Sequence, residues 1–342
     1  MSKFFVTGGA GFIGSAFVRM VLDSDPNAKI VDFDALTYAG NLENLADVDP
    51  GRHHFIHGDI CDRQAVLAAM PEGCDAVFNF AAESHVDRSI SSADEFLRTN
   101  IIGTQVLLDA ARERGVKRFV QISTDEVMGS LPDESDEYFT EESTLQPNSP
   151  YAASKASAEF VVRAAQETFG VDAVITRCGN NYGPRQFPEK LIPLMIANAM
   201  NDEPLPVYGD GKNVRDWIYV DDHCAAIWLA YEKGRSGEAY NIGARNEQYN
   251  IDVVGAILDA LGKPHSLIKY VTDRLGHDRR YAIDPSKAET ELGWKPATTW
   301  KDGLTSTIDW YRNNQSWVDH IRNGEYRDYY RKMYGKSLES GV

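Results

Sequence analysis

The sequence predicts an α/β fold, a doubly wound and mostly parallel sheet joined to a smaller, mixed α/β C-terminal lobe. Three observations carry that reading. Short apolar runs alternate with longer stretches of helical periodicity through the first half of the chain. A glycine-rich turn follows the first run directly. Past Cys178 the alternation gives way to proline-punctuated pieces.

The elements follow in order. Phe4 to Thr7, Lys29 to Phe33, His54 to Ile56, Ala76 to Phe80, Arg118 to Ser123 and Ala173 to Arg177 are short and largely apolar, as strands covered on both faces must be. Between them, Ser15 to Leu22, Arg63 to Met70, Leu97 to Arg114 and Tyr151 to Phe169 space their apolar residues three and four apart, the period of one helix face. Strand and helix alternating this way make right-handed crossovers, hence a parallel sheet with helices on both sides. Beyond Cys178, Pro184, Pro188, Pro193, Pro204 and Pro206 shorten every piece. Residues 1–180 are therefore expected to form the first unit, with a return segment near 213–240, and residues 181–335 mainly a lobe that covers a ligand. The stretch from Glu325 to Tyr334 reads as a polar-aromatic helix docked on the body.

At 342 residues the chain exceeds the usual limit of one compact core. Its 43% apolar and 25% charged residues match ordinary globular composition and argue against disorder or a coiled coil. The 35 basic and 51 acidic residues leave a formal charge of -16, which repels nucleic acid and anionic membranes, so neither is an expected partner. Any anionic ligand needs a local site. Four cysteines without C-x-x-C spacing read as free thiols in a reducing compartment. Met1-Ser2-Lys3 runs straight into the first strand and no apolar run approaches the roughly twenty residues of a membrane span, so a cytoplasmic location is expected.

Gly8-Gly9-Ala10-Gly11-Phe12-Ile13-Gly14 satisfies G-x-G-x-x-G at Gly9, Gly11 and Gly14 and G-x-x-G-x-x-G at Gly8, Gly11 and Gly14. Set between a strand and a helix, such a turn lets backbone N–H groups and the positive helix end meet a dinucleotide pyrophosphate. Asp34 ends the second strand twenty residues after Gly14, where a carboxylate accepts from a ribose hydroxyl and repels a 2′-phosphate. The cofactor expected is therefore NAD. Asp32, within the strand, ranks second, and Asp59 after the third strand is placed to bracket the adenine.

Tyr151 and Lys155 lie four apart and so share one face of a helix. A nearby ammonium and the nicotinamide charge are expected to lower the phenol pKa, letting Tyr151 take a proton from a substrate hydroxyl. Ser123-Thr124-Asp125-Glu126 ends the Phe119 to Ile122 strand, at the carboxyl edge where ligands bind in open parallel sheets. A turn or helix cap would use these residue types as well. His85, beside Asp87 and Arg88, fits a structural imidazole, and His53, His54 and His57 only loosely suggest a cluster, so no metal is assigned.

With these residues in place, the sequence resembles the extended short-chain dehydrogenase/reductase superfamily, Rossmann-type enzymes, and within it the dTDP-glucose 4,6-dehydratase family. The likeness covers nearly the whole chain: TGGAGFIGS (Thr7 to Ser15), LTYAGNLENL (Leu36 to Leu45), AAESHVDRSI (Ala81 to Ile90), TNIIGT (Thr99 to Thr104), STDEV (Ser123 to Val127), SPYAASKA (Ser149 to Ala156), NNYGP (Asn180 to Pro184), FPEKLIP (Phe187 to Pro193) and GHDRRYAID (Gly276 to Asp284). The resemblance implies that Tyr151, supported by Lys155 and Thr124, takes the sugar 4-hydroxyl proton while hydride passes from C4 to NAD. Glu126 then removes the C5 proton, Asp125 protonates the departing C6 hydroxyl, and hydride returns to C6. One carboxyl must be ionised and its neighbour protonated, a division that burial and like-charge repulsion favour.

The resemblance also assigns NAD contacts to Phe12, Ile13, Asp34, Thr37, Asp59, Ile60, the stretch from Phe80 through Ala81 and Ala82 to Ser84, Thr99 and Asn181. To the nucleotide sugar, expected to be dTDP-glucose, it assigns Ser84, Thr124, Asn180, Lys190, Leu191, Pro206, Val207, Tyr208, Arg215, Asn250, Asp273, Arg274 and His277. Arg215 and Arg274 are the natural diphosphate clamps, although Arg215 also has Asp216 beside it to pair with. Met128, Ala35 and Leu275 depart from the family pattern, the last two in the expected adenosine and nucleotide-base regions respectively. A homodimer through Phe96 to Arg114 and Ala152 to Phe169 is the family's common assembly. The other readings are a UDP-sugar 4-epimerase, a dehydratase for another nucleotide sugar, and a non-catalytic NAD-binding regulator.

Overall fold

The computed structural model describes residues 2–133 and 135–322; the tail helix expected at Glu325 to Tyr334 lies outside them. In chain order the strands are β1 (Lys3–Thr7), β2 (Lys29–Asp34), β3 (His53–His57), β4 (Ala76–Asn79), β5 (Arg118–Thr124) and β6 (Ala173–Cys178), then β7 (Asn180–Tyr182), β8 (Leu205–Tyr208), β9 (Val214–Tyr219), β10 (Ala239–Ile242), β11 (Glu247–Tyr249) and β12 (Ile268–Val271). The helices are α1 (Phe12–Ser24), α2 (Arg63–Ala69), α3 (Val86–Ser91), α4 (Asp94–Phe96), α5 (Thr104–Arg114) and α6 (Pro150–Phe169), then α7 (Leu191–Met200), α8 (Val220–Lys233), α9 (Asn250–Leu261), α10 (Trp300–Asn313) and α11 (Gln315–Ile321).

Seven parallel strands form the main sheet in the order β10-β6-β5-β4-β1-β2-β3. The order reverses at β1 and β4, the switch point at which open α/β sheets bind ligands. Alternate residues of one strand enter opposite cores: Phe4 and Val6 pack with α1 and α8, whereas Phe5 packs with α2, α5 and α6. The strand and helix runs expected in the first half are all present, most of them longer by a residue or two. A π-helical stretch, Leu97–Gly103, leads into α5 and was not foreseen.

The returning segment is α8 and β10, residues 220–242, which cover and extend the main sheet. Residues 214–219 do not join it. As β9 they pair with β7 and β11 in a separate three-stranded sheet, which buries Arg215 and Asp216. A second core, built from α7, α9, α10, α11 and β8, holds the remainder together. Among the described residues no helix is long and apolar enough to cross a membrane. All four cysteines are free thiols.

Candidate active site

The glycine turn is shaped by contacts that leave no room for side chains. Gly8 has φ +72°, and a Cβ there would lie 2.6 Å from the Ala81 nitrogen. A Cβ on Gly14 would lie 2.1 Å from the Gly8 carbonyl oxygen. Two carboxylates hold the turn from below: Asp32 Oδ1 accepts from Gly9 N at 3.0 Å, and Asp34 Oδ2 accepts from Ala10 N at 3.0 Å. The other oxygen of Asp32 faces His53 Nε2 at 3.2 Å, so Asp32 braces the loop. Asp34 lines the cavity, its carboxyl raised above the usual range by burial. Gly11 caps α1, whose first N–H groups have no partner within the helix.

A cavity of about 380 Å³ runs from this turn to the carboxyl end of β5. Its wall contains Gly8, Gly11, Phe12, Ile13, Gly14, Asp34, Thr37, Asp59, Ile60, Phe80, Ala81, Ala82, Ser84, Thr99, Tyr151, Lys155 and Asn181, which brings every proposed cofactor residue to one lining. A second cavity of about 150 Å³ adjoins it, sharing Glu126, Asn180 and Lys190, and carries Leu191, Pro206, Val207, Tyr208, Arg215, Asn250, Arg274 and His277. Asp273 lies in neither wall. Its Oδ1 accepts from His277 Nδ1 at 2.6 Å, so it acts on the site by orienting that ring.

At the junction of the cavities, β5 ends in Thr124 and the chain turns through a 3-10 helix, Asp125–Met128, capped by the Thr124 hydroxyl. The Thr124 side chain also faces the Tyr151 phenol. Ser149 caps α6 and Pro150 occupies its first turn, which fixes where the helix begins and so where Tyr151 and Lys155 project. Lys155 Nζ donates to the Ile122 carbonyl at 2.6 Å, and burial brings its pKa down to about 8. Tyr151 departs from expectation. Burial first and the Glu126 carboxylate second push its phenol well above the usual value, and the Thr124 side chain opposes them only in part.

Asp125 is 1% exposed, and its Oδ2 has no hydrogen-bond partner. Burial, reinforced by Glu126, pushes this carboxyl well above its usual range, which favours the protonated acid. Burial also raises Glu126, but the cations of Arg274, Lys190 and Arg215 oppose the rise. The environments thus separate one acid from one base. Arg215 does not pair with Asp216. Its guanidinium donates to the carbonyls of Val214 and Asp278 at 2.7 and 2.9 Å and lies 4.2 Å above the Tyr281 ring.

Two acids beside the site, Glu189 and Asp87, were given no role by sequence reasoning. Glu189 is buried, accepts from Arg88 Nε at 3.1 Å and lies beside Tyr38. Its signal was its place in FPEKLIP, beside Lys190. Asp87 accepts from Tyr208 at 3.1 Å and lies 3.7 Å from Arg274. His85 is buried and held neutral by burial and the neighbouring cations, with Nε2 3.5 Å from the Glu189 carbonyl oxygen. Among the described residues, no group of three or more His, Cys, Asp or Glu side chains is placed to hold a metal ion.

A parallel sheet with a glycine turn at its switch point, and a Tyr/Lys pair facing that turn across one cavity, define a member of the extended short-chain dehydrogenase/reductase superfamily. The GDP-mannose 4,6 dehydratase family model matches residues 5–307. A dTDP-glucose 4,6-dehydratase of Xanthomonas campestris is 51% identical, covering 96% of this chain and 98% of its own. The crystal structure of the dTDP-glucose 4,6-dehydratase DesIV from Streptomyces venezuelae, with NAD and a second ligand bound, is 50% identical with a TM-score of 0.90 over 93% of this chain and 99% of its own. A UDP-glucose 4-epimerase from Thermotoga maritima, solved with UDP-glucose, shares the fold at TM-score 0.84 but is 29% identical over 92% and 99%. The chain belongs to the dTDP-glucose 4,6-dehydratase family.

Proposed function

We propose that this protein dehydrates dTDP-glucose to dTDP-4-keto-6-deoxyglucose with NAD as its cofactor. The observation that carries the reading is the acid pair, buried Asp125 and half-buried Glu126, set between the Tyr151/Lys155 cavity and the cationic second cavity. The residues fit a dinucleotide: a Cβ at Gly8 or Gly14 would close the turn, and the Asp34 carboxylate sits at the cavity wall. When bound, NAD supplies the hydride acceptor and donor that the twenty side-chain types lack.

The chain's own groups do the rest. Tyr151 accepts the 4-hydroxyl proton, with Thr124 facing its phenol and the buried Lys155 ammonium one helical turn along. Because the chain's own environment raises this phenol, the opposing pull would be supplied by the positive nicotinamide ring of bound NAD. Glu126 takes the proton from C5, made acidic by the neighbouring ketone, and Asp125 gives its proton to the C6 oxygen as that C–O bond breaks and water leaves. Each transfer is worth about a hundred- to ten-thousand-fold in rate. Arg215 and Arg274 hold the diphosphate, with Lys190 beside them.

Product analysis by mass after incubation with dTDP-, UDP-, GDP- and CDP-glucose tests the assignment. A 4-keto-6-deoxy product from dTDP-glucose is expected, and recovery of a 4-epimer alone would exclude a dehydratase. Glu126→Gln is expected to build up the near-ultraviolet absorbance of reduced nicotinamide while product stalls. We further propose a homodimer, supported by the apolar surface on the flanking helices, where Leu97, Ile102, Phe160 and Phe169 are 44–58% exposed. Phe160→Glu should then convert the particle to a monomer in light scattering.

A further inference from the structure

The C-terminal helices reach back onto the dinucleotide cavity at two separate points. Trp317 of α11, 6% exposed, donates its indole N–H to Asn44 Oδ1 at 3.0 Å, across 273 residues of sequence. Asn44 is 1% exposed, and its Nδ2 donates to the Ala10 carbonyl oxygen at 2.9 Å. That carbonyl also accepts from Asn41 N at 3.0 Å, while the Ala10 N–H is held by Asp34. The peptides flanking Ala10 are thus pinned on both sides immediately before Gly11, the cap of α1. On the outer surface, His320 meets Glu43 at 2.9 Å and reinforces the same junction.

The second point lies beyond β6. Tyr311 of α10 packs against Trp310 and Trp317 and donates its hydroxyl to the Gln186 carbonyl. Gln186 in turn donates Nε2 to the Asn181 carbonyl oxygen at 2.9 Å, and both residues line the cavity. One aromatic cluster therefore supports the pyrophosphate turn through Trp317 and the opposite wall through Tyr311. The family match stops at residue 307, so α11 lies past it.

We infer that α11 acts as a strut that retains the dinucleotide, with Asn44 and Trp317 as positioning residues for the glycine turn. The inference rests on the reading that the cavity holds NAD. Neither residue touches the reacting atoms. Their effect is on how long the turn keeps the geometry that presents the N–H groups of α1 to the pyrophosphate, which matters for an enzyme that must return hydride through the same cofactor molecule.

The test is the rate at which bound NAD leaves, measured on purified full-length protein without sugar by exchange against labelled NAD. Trp317→Phe keeps an aromatic ring in the cluster but removes the N–H donor along with part of the ring volume, and Asn44→Ala removes both side-chain bonds. Each deleted buried hydrogen bond is expected to speed NAD loss by about 5- to 30-fold. Trp310→Phe, in the same cluster but without a polar link to the turn, is the control for general loosening and should leave the rate unchanged. NAD leaving wild type and both variants at one rate would overturn the inference, as would equal acceleration in Trp310→Phe. A wild type that binds no NAD would instead sink the cofactor reading, and this inference with it.

Discussion

Glu159 offers a quantitative check on what holds α6, the helix of Tyr151 and Lys155, to the sheet. It lies one turn past Lys155 on α6, is 3% exposed, and accepts from Arg177 Nε at 3.1 Å on both oxygens and from Arg177 Nη2 at 2.8 Å. Its Oε1 also accepts from Ser123 Oγ at 2.5 Å, the residue before Thr124. In Glu159→Ala, the 7%-exposed Arg177 would keep only the Glu141 carbonyl, at 3.3 Å. Leaving such a charge unpaired costs about 3–5 kcal/mol. With roughly 2 cal/mol/K of unfolding entropy per residue, that is a fall in Tm of about 4–7 °C for this chain. Differential scanning calorimetry reads it directly. The double variant Glu159→Leu with Arg177→Met should recover most of the loss, since no charge remains buried, yet stay slow in turnover because Ser123 has lost its tether. A Tm for Glu159→Ala within about 1 °C of wild type, less than a kcal/mol on the same scale, would refute the argument.

Other expectations are independent of that pair. Gly14→Ala should weaken NAD binding by about 5- to 150-fold, the worth of 1–3 kcal/mol of overpacking, and an unchanged calorimetric affinity would contradict the tight turn. Arg215→Lys should raise the substrate KM about 10- to 100-fold with little change in kcat, because an ammonium lacks the planar fork; a fall confined to kcat would point to another role. His223 is fully buried, with Nδ1 2.9 Å from Asn181 Oδ1, and burial lowers its pKa to about 3. Its folded value lies below the unfolded one of about 6.5, so the unfolded chain takes up a proton that the native one refuses. The stability this neutral ring contributes is complete above that pH and declines as pH falls towards 3. Relative to a His223→Gln variant, wild-type unfolding free energy should therefore drop by about 1.4 kcal/mol per pH unit between these limits; parallel profiles would argue that the ring titrates normally.

What could be read in the sequence was local. Tyr151 and Lys155 were legible because four residues is one helical turn, the glycine turn because strand and helix flank it, and Asp125 and Glu126 because they end an apolar run. Long-range pairings left no such trace. Nothing in the spacing of Asn44 and Trp317, or of Glu159 and Arg177, announces that they meet, because contact across a fold depends on packing and not on periodicity. The stretch Val214 to Tyr219 was expected in the returning segment, yet pairing with Glu247–Tyr249 draws it into another sheet. The direction of the Tyr151 pKa also needed coordinates: its composition suggested a neighbouring cation, whereas burial dominates.

The 3-10 turn at Asp125–Met128 has a wider consequence. It lies after the last paired residue of β5, and its capping comes from Thr124, so the acid pair is an appendage to the sheet and not part of its register. The groups proposed for proton exchange at a sugar hydroxyl sit elsewhere, on α6. On that proposal, redox and elimination capacities occupy separate, individually replaceable segments, and an ancestor or a designer could alter the second by rewriting one turn while the scaffold and the first stayed as they are.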